Sequence, residues 1–172
     1  MEASLKLTLE RLVDGDLNSR VEAARQLAQG DTTPPAVASE LVRALENPYE
    51  ERLMPWIEAA LEKIATPPAD QAEPLQKIVD RFLKESTYPD AVYWAATMLG
   101  RIGRGAATAV PSLTALLGRT DHPNVQFKAA WALGKIGPAA KKSVPQLAIA
   151  AASPGHPRLA TYAKKAMEEI NR

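Results

Sequence analysis

Two histidines and no cysteine bound the chemistry open to this 172-residue chain. His122 and His156 stand 34 residues apart, each followed by proline. That offset reads them as one turn repeated in neighbouring structural units, about 10 Å apart, too far to share a metal ion. Catalysis draws mostly on His, Cys or paired carboxylates held close together. The missing cysteines remove disulfides, thiolate catalysis, Cys-type zinc sites and any covalent cysteine adduct. The histidines read as exposed turn residues, so no enzyme activity, metal or cofactor is expected.

The aromatic and basic residues have more to offer. Alanine and leucine recur at helical spacing in the second half of each repeating unit, and the columns of Ala23, Leu27 and Gly30 mark a buried stripe. At 100° per residue, the columns of residues 22, 25 and 29 point away from it. Read down the chain, that outer stripe is Glu22, Arg25, Gln29; Trp56, Ala59, Lys63; Trp94, Thr97, Arg101; Lys128, Trp131, Lys135; Tyr162, Lys165, Glu169. It holds all three tryptophans. Tryptophan and arginine often dominate interface energy. The candidate partner-binding set is therefore Trp56, Lys63, Trp94, Arg101, Lys128, Trp131, Lys135, Tyr162 and Lys165. A second reading of the same positions has each Trp covering the gap between adjacent helices.

These columns exist because one pattern occurs five times. Ala23–Leu27, Ile57–Leu61, Ala95–Leu99, Ala129–Leu133 and Ala163–Met167 follow at spacings of 34, 38, 34 and 34 residues, the mark of a stacked solenoid. Ala95, Leu99 and Ile102, then Ala129, Leu133 and Ile136, keep the spacing of one helical face. A second apolar helix precedes each copy, as in Leu75, Ile78, Val79 and Phe82 or Val110, Leu113, Leu116 and Leu117, so each unit is a helical hairpin. Pro34, Pro35, Pro74, Pro111 and Pro145 suit the beginnings of the first helices. Pro89, Pro123 and Pro157 are expected in the turns just before three of the second helices. Gly100 and Gly134 imply tight helix contact or, together with Gly103 and Gly137, helices that end early. The 38-residue spacing comes from a longer segment, Thr66–Pro74, read as a mobile rim or, preferably, an insertion tolerated on a surface loop.

Trp94–Gly103 followed by Ala109–Leu113, and Lys128–Gly137 followed by Ser143–Leu147, resemble HEAT-like repeats of the bilin-lyase type. The resemblance is specific in these two copies and extends over the chain through periodicity. Family repeats often carry an Arg early in the second helix; only Arg20 stands there, against Met54, Val92, Gln126 and Ala160. The resemblance implies an all-α, right-handed α-solenoid of about five HEAT-like helical hairpins, with approximate repeats 1–30, 31–66, 67–104, 105–138 and 139–172 in one domain. It also implies that the second helices line the concave face, which is where the aromatic and basic stripe would lie. A HEAT-like hydroxylase would show His-Glu pairs, and neither histidine is followed by glutamate.

The net charge of +1 conceals an asymmetry. Residues 1–90 carry 10 Lys or Arg against 17 Asp or Glu, and residues 91–172 carry 11 against 3. Such a bipolar rod would steer an acidic partner to the C-terminal half or let two copies meet head to tail. With a leucine-striped helix at Met1–Val13 and Glu168-Glu169 near the other end, both termini read as capped and the chain as complete. No apolar run approaches the roughly 20 residues of a membrane span, and the N-terminus lacks a signal-peptide pattern, giving an expectation of a cytoplasmic protein away from membranes. The expected function is a non-catalytic scaffold or adaptor that binds a protein or peptide. Nucleic-acid binding through the basic C-terminal half is the alternative, though pI ≈ 8.0 is modest for it. A bilin-lyase-like subunit ranks below both.

Overall fold

The computed structural model describes residues 2–46, 51–119 and 121–172. Among these, ten α-helices follow in order: α1 (Glu2–Asp14), α2 (Leu17–Gln29), α3 (Ala38–Ala44), α4 (Met54–Lys63), α5 (Ala72–Glu85), α6 (Pro89–Ile102), α7 (Val110–Leu116), α8 (Pro123–Ile136), α9 (Val144–Ala151) and α10 (Pro157–Ile170). Met1, where the leucine-striped helix was expected to begin, lies outside the described residues. Each odd helix packs on the even helix that follows it. The result is an all-α solenoid with one layer of odd helices and one of even helices. Its core lies between the layers, where Leu12, Leu41, Ile57, Leu75, Leu99, Leu113, Leu133 and Leu147 are fully buried, because apolar residues at i, i+3 and i+4 give every helix one face to hide.

Helix ends follow local chemistry. Asp16 caps α2, its carboxylate accepting from the Ser19 N–H at 2.9 Å, and that backbone hydrogen bond holds the carboxyl below its usual range. Pro89, Pro123 and Pro157 are the first residues of α6, α8 and α10 and not part of the preceding turns, since a first-turn residue has no intrahelical use for an N–H. The two alternatives for the paired glycines divide between the two pairs. Gly103 and Gly137 take φ of +66° and +76° and end α6 and α8, whereas Gly100 and Gly134 lie inside those helices at contacts.

The Thr66–Pro74 segment is better tied than a tolerated insertion. Pro67 is buried, and a Cβ on Gly105 would stand 3.0 Å from the Ala69 Cβ. Gln71 Oε1 accepts from the Ser39 N–H at 3.0 Å and the Ser39 hydroxyl at 2.8 Å, fastening the segment to the start of α3. Not every outward position of the end pairs is polar: Leu7, Leu17 and Ile149 are exposed. No helix among the described residues is long and apolar enough to cross a membrane.

Candidate functional site: a cleft across the even helices

Even helices approach one another through two positions four residues apart. These are Ala24 and Ala28 in α2, Ala96 and Gly100 in α6, and Ala130 and Gly134 in α8, all buried. A Cβ on Gly100 would overlap the Trp131 ring and stand 3.0 Å from the Ala132 Cα; one on Gly134 would stand 2.9 Å from the Ala166 Cα. In α4 the same register holds Glu58 and Glu62. Two carboxylates cannot be buried in such a seam without partners, and the backbones of α4 and α6 stand apart where α6 and α8, and α8 and α10, close up.

Long side chains bridge this opening. The Trp94 Nε1–H donates to Glu58 Oε1 at 3.2 Å. The Arg101 guanidinium donates to Leu61 O at 2.8 Å and also to Ile64 O, satisfying the last carbonyls of α4 with a cation at the negative end of the helix. Beside them lies a cleft of about 480 Å³. Glu58 and Glu62 line it from α4; Asp90, Tyr93 and Trp94 from α6; Asp121 and His122 from the turn before α8; Asn124 and Phe127 from α8; and Arg158 from α10. It thus touches four consecutive even helices.

The cleft has an aromatic wall. Tyr93 meets Trp94 edge-on at 5.7 Å and Phe127 at 6.2 Å, and Phe127 stacks on Tyr162 at 5.4 Å. The Arg158 guanidinium sits 3.8 Å from the Phe127 ring centre. Lys128 lies 4.9 Å from the rings of both Tyr93 and Trp131. Burial, then the nearby Arg101 and Arg158, push its ammonium below the usual lysine range, and burial raises the Tyr93 phenol above its own. His122 lies 3.2 Å from the Asp121 carboxylate, which also meets Arg119 at 3.6 Å, and its ring sits edge-on to Phe82 at 5.2 Å. His156 precedes Pro157 at the start of α10. Among the described residues, no group of three or more His, Asp or Glu gathers as a metal site would require.

The outward stripe needs correcting. Trp94 is only 7% exposed, and Trp56 and Trp131 are half-buried. A projection around one isolated helix omits the neighbouring repeat, and these rings reach across to it: Trp94 to Glu58, Trp131 over Gly100. Lys63 donates to Gly30 O at 2.7 Å and to Ala28 O, closing the end of α2 as Arg101 closes α4. Lys135 pairs with Glu169 at 3.1 Å. Lys165 is exposed, beside Trp131 and Tyr162 at a small notch. Of the nine residues, only Trp94 lines the large cleft. The residues missed are Tyr93 and Phe127, one position ahead of the projected column, and Glu58, Glu62, Asp90 and Arg158. A usable signal existed, for Glu58 and Glu62 are charges in columns that hold Ala or Gly in α2, α6 and α8.

The solved structures similar to this chain include two designed or engineered proteins. One is an engineered protein, 21% identical over 98% of this chain and 96% of its own, with a TM-score of 0.44. The other is a designed armadillo repeat protein, 16% identical over 97% of this chain and 100% of its own, with a TM-score of 0.49. No curated protein matches. The family model described as HEAT repeats matches residues 75–168, more than half of the chain and nearly all of α5 through α10. The repeating hairpins and this match together assign the chain to the HEAT repeat family.

Proposed function

We propose that this chain is a non-catalytic scaffold or adaptor, one continuous stack that binds a protein partner across the face of its even helices. The observation that carries this reading is the cleft of about 480 Å³ spanning α4, α6, α8 and α10. A groove contributed by four repeats offers an extended ligand several contacts in register, which is how quasi-one-dimensional stacks build binding surfaces. Exposed Lys141, Lys142, Lys164 and Lys165 support a contact with an acidic region of the same partner near the C-terminal end. Nucleic acid is favoured less, because Lys63, Arg101 and Lys135 already engage carbonyls or a carboxylate. Cytoplasmic residence fits this role.

The test is affinity capture from the source lysate with the unaltered chain and with a variant whose cleft is filled, Asn124→Trp, since Asn124 is exposed on the rim. The expected result is a protein captured by the first and lost from the second, with circular dichroism unchanged. Capture that is equal in both variants, or nucleic acid recovered and lost steeply with salt, would contradict it.

A further inference from the structure

The charge of the cleft differs from that of the half of the chain in which most of it lies. Four carboxylates line it against the guanidinium of Arg158, while Lys128 adjoins one of its rings, Tyr93, and Arg101 interacts with Glu62 without lining the cleft. Asp121 is paired with Arg119 and His122, but among the described residues no basic side chain lies within ion-pairing distance of Glu58, Glu62 or Asp90. Glu58 still has an oxygen beyond the one that accepts from Trp94. Across from Glu58 and Glu62 stands α6, which brings Asp90, Tyr93 and Trp94 to the cleft. An anionic ligand would meet repulsion here, and a neutral apolar one would bury carboxylates without replacing their water. A cation gains on both sides, from charge-assisted hydrogen bonds to the carboxylates and from the negative faces of the rings. The chain already shows this pairing at the far end of the same cleft, where Arg158 covers Phe127.

The geometry points to a basic peptide segment as the occupant, with an arginine side chain reaching the Glu58 and Glu62 carboxylates beside the Tyr93 ring, next to the buried Trp94 that holds Glu58. This deepens the scaffold reading and rests on it. Arginine suits the site better than lysine because its planar fork meets carboxylates in pairs while its face lies on a ring. A volume of about 480 Å³ exceeds what one side chain fills, which favours a segment of chain over a free small cation. An acidic contact near the C-terminal lysines is compatible with it, since none of those lysines lines the cleft.

The test uses the purified chain and three blocked peptides in which glycine alternates with arginine, lysine or glutamate, titrated calorimetrically at low and raised salt, with free arginine as a fourth ligand. Binding is expected in the order arginine, lysine, then none for glutamate, weakening with salt. Glu58→Gln/Glu62→Gln, which keeps size and hydrogen-bonding capacity, should weaken the arginine peptide by about tenfold with an unchanged circular-dichroism spectrum. Three results overturn the proposal: no arginine-peptide binding, equal binding by the Gln variant, or free arginine binding as tightly as the peptide. If lysate capture is nevertheless lost from Asn124→Trp, the scaffold reading survives and only the basic segment is withdrawn; if capture also fails, both are withdrawn.

Discussion

The junction between α4 and α6 and the two junctions that follow it are made from the same columns of the repeat and come out opposite. Between α6 and α8, and between α8 and α10, alanine and glycine let backbones meet, with Trp131 laid over Gly100 and Ala166 against Gly134. Between α4 and α6 the columns carry Glu58 and Glu62, the helices part, and Trp94 and Arg101 reach across. A solenoid is held mainly by contacts between neighbouring repeats. Two charged residues in a small-residue seam therefore exchange local packing for a cavity with a chemical character of its own. The lesson is that a departure from the repeat marks a site better than the repeat does.

That contrast can be broken at several points, beginning with the closed junctions. Gly100→Val should destabilise the chain by about 3 kcal/mol, because its methyls meet a ring and a backbone, neither of which can withdraw cheaply; urea unfolding would measure it. Trp131→Ala should cost about 2 kcal/mol for the half-buried ring. Its more telling use is a double-mutant cycle with Gly100→Ala. The alanine should cost at least about 1 kcal/mol less when the ring is gone, and full additivity would mean that the ring and the glycine are not paired. At the open junction, Arg101→Met should cost about 1.5 kcal/mol by freeing the α4 carbonyls. The smallest effect belongs to Glu58→Gln/Glu62→Gln, within about 0.5 kcal/mol, since neither carboxylate forms an ion pair among the described residues and Glu62 acts on Arg101 only through its charge. A large loss there would make the pair structural and not a feature of the cleft.

Much of this architecture was legible in the chain itself. The Ala95, Leu99, Ile102 and Ala129, Leu133, Ile136 spacing reports helical faces directly, and its 34-residue return reports stacking, because both depend on local periodicity. The paired glycines were readable only as two alternatives, close contact or early helix ends, because the choice depends on the neighbouring helix that lies against Gly100 and Gly134. The site was much less so. Projecting Trp94 outward from α6 treats the helix as if alone, yet its position is settled by Glu58 in the preceding repeat. Lys63 and Arg101 read as free cations until the carbonyl ends of α2 and α4 are placed beside them. Net charge misled for a related reason. Positive charge dominates after residue 90, but Asp121 from that half lines the cleft together with Glu58, Glu62 and Asp90 from the acidic one. Sums over sequence do not report which side chains share a wall.

The most direct measurement follows the three tryptophan indole N–H resonances of the nitrogen-labelled chain while the arginine-glycine peptide is added. Trp94 alone donates its indole N–H to Glu58 at the cleft. Its resonance should move progressively while those of Trp56 and Trp131 stay nearly fixed. Movement led by Trp131 would place the partner on the closed junctions, and no movement at any tryptophan would contradict the account of the α4–α6 opening as the binding site.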